Sequence, residues 1–322
     1  VVGLGYWGPN YIRNLLELSQ EVTAFDIDKD RLEEVHRKFP AMEAADSWNA
    51  ILEDYRVAGV IIATPLKTHF QLIYQAVSAG KHILVEKAMC YSIDEAEEIV
   101  KRVDGQVLMV GHITCFSPGI KKVKSLLEQK IAGEIKSMIF FRTHMGPIYP
   151  EVDVLREVGC HDVSIALWLK GETPISVIAT GSDFLGKGNI DHGNIIIRWQ
   201  DGALANITTG WCFADRRREF IVAGNYGSIR YNCGAAGETV EYIDTKEDLQ
   251  RLKDKKNSKY SNKEVKSVPY KLDSGEPLKA QINEFLACIK GKSQPLTDAK
   301  FGRDVVKVVC AAYESAKRNS QL

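Results

Sequence analysis

Three features of this chain could do chemistry: a Gly-rich turn at its start, a lysine just past an apolar run, and a histidine in a Gly-Cys-His-Asp stretch. The turn is Val1-Val2-Gly3-Leu4-Gly5-Tyr6-Trp7-Gly8, a short apolar strand end running into G-x-G-x-x-G. In such a turn the first glycine permits the tight bend and the second lets a pyrophosphate approach the backbone. The third lets helix and strand pack closely. Pro9 to Leu16 continues as a helix with an apolar stripe. Its free N–H groups and positive dipole end would face phosphates, and Pro9 suits a first helical turn because its missing N–H is no loss there. Asp26 closes a second apolar run, Val22 to Asp26, about 18 residues past Gly8, where an acidic side chain holds ribose hydroxyls. An ordinary βαβ unit with a surface Asp is the alternative. The agreement of strand, turn, helix and acid favours a dinucleotide site. Asp28 adds a second negative charge against a 2′-phosphate and no basic residue immediately follows Asp26, with Arg31 as the cation that could relieve the repulsion, so the expected cofactor is NAD.

Lys87 follows the run Ile83-Leu84-Val85, at the sheet edge where ligands of open α/β sheets bind. From there its ammonium can reach a nicotinamide ribose and a reacting hydroxyl. A solvated lysine after a strand is the plain alternative. Glu86 beside it reads as a brace for the loop. Thr64-Pro65 ends another apolar run, so its backbone is expected along the cofactor, with His69 a helix-start residue touching that loop. Tyr6 and Trp7 are expected to wall the cleft or to pack against the second domain. Arg142 faces a substrate phosphate or carboxylate or is a strand-surface charge. His161, read alone, is first a capping or packing residue. Imidazole nevertheless titrates near neutral pH, as a base for an alcohol proton must. His161-Asp162 is not a metal pair: adjacent helix residues point in different directions, and no other ligand cluster accompanies them.

The elements that would position these residues alternate through the first third. Helices are expected at Lys29–Phe39, Trp48–Leu52, His69–Ala79 and Ile93–Val103. Strands are expected at Val57–Ala63, His82–Val85 and Val107–Val110. That alternation argues for a parallel, doubly wound sheet with its strand ends gathered on one edge. The rhythm changes near Phe116-Ser117-Pro118. A helix from Gly119 to Gln129 is followed by strands at Ile139–Thr143, Ile175–Thr180, Asn194–Trp199, Ala203–Thr209, Glu219–Ala223 and Ser228–Tyr231. Asp153–Leu169 is a helix among them, and Gln200-Asp201-Gly202 a hairpin turn. This is an α+β domain with a largely antiparallel sheet. The expected division is 1–116 for the dinucleotide domain and 117–322 for the second. Thr245–Lys266 reads as a polar, solvated excursion, and Leu278–Lys290 and Lys300–Lys317 as closing helices.

With 322 residues, 45% hydrophobic and 26% charged, the composition is that of an ordinary globular protein with room for two cores. Forty-two basic residues balance forty-two acidic ones, which gives no reason to expect nucleic acid or a membrane surface as partner. Seven scattered cysteines without a C-x-x-C pair fit a reducing cytoplasm better than a disulfide framework or zinc site.

Taken together, separated segments make the chain resemble the glucose–fructose oxidoreductase / inositol dehydrogenase (Gfo/Idh/MocA) family along nearly its whole length. They are Gly3 to Gly8, Ala63-Thr64-Pro65 with His69, Ala79 to Lys87, Gly111 to Pro118, Gly159-Cys160-His161-Asp162, Gly224 to Ile229, and Phe285 to Gly291. The resemblance implies an N-terminal Rossmann domain, a C-terminal domain with a large open-faced sheet, and a nicotinamide cofactor. It also implies homo-dimers or tetramers built through that sheet. It makes His161 the catalytic base and Lys87 the group that stabilises the alkoxide. Two departures stand out. The family usually has Glu-Lys-Pro where this chain has Glu86-Lys87-Ala88, which leaves the loop shape open. It often has Asp four residues before the histidine, where this chain has Glu157, a longer carboxylate that could still hold the imidazole.

Within the family, Gly5 to Asn10, Gly111-His112, Pro118, Gly133-Glu134-Ile135, Arg142 and His161 to Ile165 are most similar to the sugar-nucleotide dehydrogenases, which oxidise the 3-hydroxyl of a UDP-linked N-acetylhexosamine or its uronic acid. The leading expectation is therefore an NAD-dependent dehydrogenase of a sugar nucleotide. An inositol, polyol or free-sugar dehydrogenase is the second reading. A nicotinamide-binding redox sensor without turnover is the third.

Overall fold

The computed structural model describes residues 1–146, 148, 152–235, 237–253 and 266–319. They form two compact units. Val1–Phe116 with Glu276–Lys307 makes the first, and Ser117–Gly275 with Val308–Leu322 the second.

In the first unit the Gly-rich turn enters α1 (Gly8–Glu17). There follow β1 (Thr23–Ala24), α2 (Lys29–Lys38), β2 (Glu43–Ala44), α3 (Trp48–Glu53), β3 (Gly59–Ile62), α4 (Leu66–Ser78), β4 (His82–Glu86), α5 (Ile93–Arg102) and β5 (Leu108–Gly111). All the strand pairings are parallel: β1 with β2, β3 with β4 and β4 with β5. Val2 bridges in parallel to both Phe25 and Ile62. The chain start therefore lies between β1 and β3, and the spatial order is β2, β1, Val2, β3, β4, β5. Val60 to Ile62, Ile83 to Val85 and Leu108 to Val110 are all buried, as strands covered on both faces require. Helix α5 opens on a capping box in which Ser92 and Glu95 satisfy each other's backbone N–H groups.

The second unit comprises α6 (Pro118–Glu128), β6 (Ile135–Met145), α7 (Cys160–Lys170), β7 (Ser176–Ser182), β8 (His192–Arg198), β9 (Leu204–Gly210), β10 (Cys212–Gly224), β11 (Gly227–Gly234), β12 (Gly237–Asp244), α8 (Lys246–Lys253) and β13 (Ser267–Tyr270). Its eight strands run β13-β12-β11-β10-β6-β9-β8-β7. Only the central pair β6–β9 is parallel. Burial alternates along the strands. Met138, Phe140, Ile195, Ile197, Ile207, Phe220 and Val222 are buried, whereas Ile139, Ile178 and Ile196 on the other face are exposed. Gly202 turns the β8–β9 hairpin at φ +83°.

Helices α9 (Pro277–Ile289) and α10 (Ala299–Asn319) complete the chain. The expected division at 116/117 put all later residues in the second unit, and Glu276–Lys307 departs from it. The reason is packing. A Cβ on Gly59 of β3 would meet Ile289 and Phe285 at 3.0 and 3.2 Å. The Asn14 amide donates to Glu276 at 3.0 Å, and Lys279 pairs with Glu17 at 2.9 Å. Thr297 exchanges two hydrogen bonds with Val110, each 2.7–2.8 Å. Strand β12 and the edge strand β13 were not expected, nor was α8 at the start of the polar stretch. The rest of that stretch, 254–265, lies outside the described residues.

Candidate active site

In the first unit the parallel strands bring their C-terminal ends to one edge: the Gly-rich turn, Asp26, Thr64-Pro65, Glu86-Lys87 and His112 all follow strand ends there. The three glycines divide their work. Gly3 sits at φ +86°, and a Cβ on it would lie 2.7 Å from the Ala63 carbonyl group. A Cβ on Gly8 would collide with the Gly3 carbonyl oxygen, so this glycine seats α1 against the strand. A Cβ on Gly5 would meet nothing within 4 Å. That is the open approach a pyrophosphate needs. Pro9 stands at the start of α1, no side chain caps its N-terminus and no acidic residue lies in its first turn. The helix end is thus left to an anion.

Asp26 is nearly buried. One of its oxygens accepts from the Leu4 N–H at 2.6 Å and the other from the Asp28 N–H at 2.8 Å. These bonds fix the carboxylate beside the turn. Arg31 lies 3.6 Å from Asp26 and 3.3 Å from Asp28. Tyr6 is 81% exposed and meets Trp7 edge-on at 5.4 Å.

The Lys87 loop is held from three sides. The Tyr11 hydroxyl, on α1, donates to Glu86 Oε1 at 2.7 Å, and the Lys87 N–H donates to Glu86 Oε2 at 3.1 Å. Glu86 thus links α1 to the Lys87 loop. Burial first, and then the charge of Glu86, raise the Tyr11 pKa well above its ordinary value, so the phenol stays a donor. The Lys87–Ala88 peptide is cis. His69 is a buried residue of α4. Its Nδ1 lies 2.9 Å from the Ala88 carbonyl oxygen and its Nε2 2.8 Å from that of Thr64. It ties the β3 and β4 loops together, with a pKa lowered by burial.

His112, directly after β5, is fully buried against the edge of Phe301, with centroids 5.6 Å apart. Neither ring nitrogen has a hydrogen-bond partner among the described residues. Burial, followed by the charge of Lys87, pushes its pKa down to about 3, so the ring is neutral at ordinary pH.

In the second unit a π-helical turn, Leu155–Gly159, runs into α7. His161 and Asp162 lie in the first turn of α7, and Glu157 in the π turn. The His161 carbonyl accepts from Ser164 Oγ at 2.7 Å. Arg142, on β6, donates from Nε and Nη2 to Asp162 Oδ1 at 2.9 and 2.6 Å. Two residues that the sequence offers separately as substrate contacts are therefore partners in one buried ion pair. Burial would lower the Arg142 pKa, but the Asp162 carboxylate more than offsets it and the guanidinium stays charged.

Around this pair stand groups that the sequence reading passed over. Arg218 of β10 is the register partner of Arg142, and Thr209 of β9 is its partner on the other side. His144 lies two residues along β6 from Arg142, and Arg216, in the bulge of β10 between Cys212 and Arg217, is close enough for its charge to act on both His144 and Arg218. The available signal was the run Arg216-Arg217-Arg218. Among the described residues no group of three His, Cys, Asp or Glu side chains is placed to hold a metal ion. No helix among them is long and apolar enough to cross a membrane.

A glycine turn opening on an uncapped helix, with a fixed acid beyond the second strand, defines a dinucleotide-binding Rossmann domain, here joined to an α+β domain. Residues 1–112 match the oxidoreductase family with NAD-binding Rossmann fold, and residues 120–230 match the GFO/IDH/MocA C-terminal domain. The chain belongs to the GFO/IDH/MocA oxidoreductase family. An uncharacterized oxidoreductase of Bacillus subtilis, YrbE, is 28% identical over 64% of this chain and 65% of its own length. The chain thus spans just under two thirds of that relative. The UDP-N-acetylglucosamine 3-dehydrogenase of Acidithiobacillus ferrooxidans is 26% identical over 72% of this chain and 73% of its own. Its solved structure superposes with a TM-score of 0.86 over 99% of this chain and 97% of that one, at 23% identity. The scyllo-inositol 2-dehydrogenase (NAD(+)) of Bacillus subtilis is 28% identical over 71% of this chain and 72% of its own.

Proposed function

We propose that the protein is an NAD-dependent dehydrogenase that moves a hydride between nicotinamide and a ring hydroxyl of a sugar nucleotide, a UDP-N-acetylhexosamine or its uronic acid. The observation that carries the reading is the placement of Lys87 on the same strand-end edge as the dinucleotide cradle, in a loop fixed by Glu86, Tyr11 and His69. Gly5, the open end of α1 and Asp26 fit the pyrophosphate and ribose. NAD, when bound, supplies the hydride acceptor. His161 removes the hydroxyl proton, and Glu157 in the preceding turn holds the imidazole. The Lys87 ammonium stabilises the developing alkoxide. The likeness to UDP-N-acetylglucosamine 3-dehydrogenase supports the sugar-nucleotide assignment.

A second reading, an inositol or polyol dehydrogenase, is supported by the comparable identity to scyllo-inositol 2-dehydrogenase. A thermal-shift series separates the two, because a ligand that binds only the native state raises apparent stability. With NADH present, UDP-N-acetylglucosamine or its uronic acid is expected to stabilise the protein and scyllo-inositol to leave it unchanged. The reverse result selects the second reading.

The sheet face bearing Ile139, Ile178 and Ile196 supports a homo-oligomer through the second unit, which light scattering tests. The seven cysteines, all outside disulfides, support a reducing compartment such as the cytoplasm.

A further inference from the structure

The covered face of the second unit changes character along its length. On β6 it runs Met138, Phe140, Arg142, His144, and on β10 Val222, Phe220, Arg218, with the exposed Arg216 in the bulge just beyond. The apolar residues lie deep, and the basic ones take over where the strands pass the first turn of α7. The guanidinium groups of Arg142, Arg218 and Arg216 stand there, and Arg142 holds the Asp162 carboxylate. Arg218 is half-buried, yet neither it nor Arg216 has a carboxylate within ion-pair distance among the described residues. Arg217, which alternation sends to the opposite face, is paired with Glu219.

A guanidinium stays protonated in proteins, so burial cannot be relieved by losing the charge. A half-buried cation flanked by cations is costly unless an anion joins it. Burial, with Arg142 and Arg216 nearby, works against the charge on Arg218. Two neutral groups extend the row. His144 has a buried Nδ1 and Thr209 a buried hydroxyl, both without a hydrogen-bond partner among the described residues. The whole chain carries no net charge, so this positive excess is local.

We propose that Arg218, Arg216 and His144, with the Arg142–Asp162 pair beneath them, form a binding site for a phosphoryl oxyanion of the substrate. The charge favours phosphoryl over carboxylate. One carboxylate would neutralise only one of the two unmatched guanidinium groups, whereas a diphosphate ester brings enough charge for both and several acceptor oxygens for forked guanidinium contacts. Charge, register and buried polar atoms carry the site; that its ligand is the diphosphate of a sugar nucleotide rests on the proposed function.

The test is calorimetry on the full chain with NADH saturating, so that the dinucleotide cradle is filled, using UDP, inorganic pyrophosphate and glucuronate as probes. UDP and pyrophosphate are expected to bind the wild type, with affinity falling as salt rises. Arg218→Gln should weaken both by roughly 10- to 100-fold, the worth of a charge-assisted contact. Arg216→Gln should weaken them less, and Arg217→Gln not at all. NADH affinity and melting temperature report that each variant is folded. UDP affinity unchanged in both Arg218→Gln and Arg216→Gln overturns the site, as does a wild type that binds none of the probes. Binding of glucuronate alone overturns the phosphoryl assignment. Pyrophosphate binding lost in Arg218→Gln, without turnover of any UDP-sugar, upholds the site and refutes the sugar-nucleotide reading. Turnover of a UDP-sugar with UDP affinity unchanged in both variants does the opposite.

Discussion

The strand-end edge of the first unit and the first turn of α7 in the second are made of different material. At the strand ends of the first unit the contacts are main chain: a turn without side chains at Gly3, Gly5 and Gly8, an uncapped helix end, and an Asp26 carboxylate fixed by two backbone N–H groups. Around the first turn of α7 in the second unit the contacts are side chains, with positive charge in excess of its counter-ions. The first region fails when atoms are added and the second when they are removed. This division suits the two ligands. A dinucleotide offers the same pyrophosphate in every enzyme and can be met by rigid backbone, whereas a substrate must be selected by side chains that differ between relatives.

The largest expected effect touches both regions at once. His161→Ala and Lys87→Ala should each lower turnover by roughly 10²–10⁴-fold while NADH binding persists, read by steady-state kinetics beside a cofactor titration. Near-normal rates in a folded His161→Ala variant would remove it as the base.

Next in size is a pair of glycines that sharpens the contrast. Gly8→Ala puts a methyl group against the Gly3 carbonyl and should destabilise the fold by about 1–3 kcal/mol, as overpacking does. Gly5→Ala, which meets nothing within 4 Å, should leave denaturant midpoints near wild type and weaken NAD binding. Equal stability losses in the two variants would contradict the assignment of Gly5 to the ligand.

His112 gives a pH-dependent effect. Its pKa in the folded protein is about 3 against an ordinary 6.5. The stability of the neutral, buried ring is therefore fully present above pH 6.5 and is lost as pH falls toward 3. Denaturation of wild type and His112→Leu across this window should differ in slope by roughly 1.4 kcal/mol per pH unit, with the variant less acid-sensitive. Parallel curves would show that the ring gains a proton or a partner without cost.

The smallest effect is cofactor choice. Asp26 and Asp28 both oppose a 2′-phosphate, and Arg31 lies against them. The ratio of kcat/KM should favour NAD over NADP by about 10-fold, an energy near 1.4 kcal/mol. Equal efficiency would mean that Arg31 turns toward the phosphate.

The same difference in material explains what could be read from the amino-acid order. A backbone site is written locally. Gly3, Gly5, Gly8, Pro9 and Asp26 fall within one βαβ unit, and Lys87 follows its own strand, so spacing is enough. The basic row is written by register: Arg142 and Arg218 are 76 residues apart and become neighbours only when β6 and β10 pair. His112 looked like one more residue of a Gly-His step, because its burial depends on Phe301, far along the chain. Tyr11 and Gln281 both read as plain helix residues, yet both are fully buried on the packed faces of α1 and α9 in the first unit. Strands β12 and β13 carry few buried side chains at the sheet edge, so their alternation is weak.

The central claim is hydride transfer to or from a sugar nucleotide, and its most direct measurement is the formation of NADH. The protein would be incubated with NAD and, separately, UDP-N-acetylglucosamine, its uronic acid, scyllo-inositol and glucose. NADH is expected to form with a UDP-sugar, and its formation to be abolished in Lys87→Ala. NADH from inositol or glucose alone, or from none of the four, would contradict it.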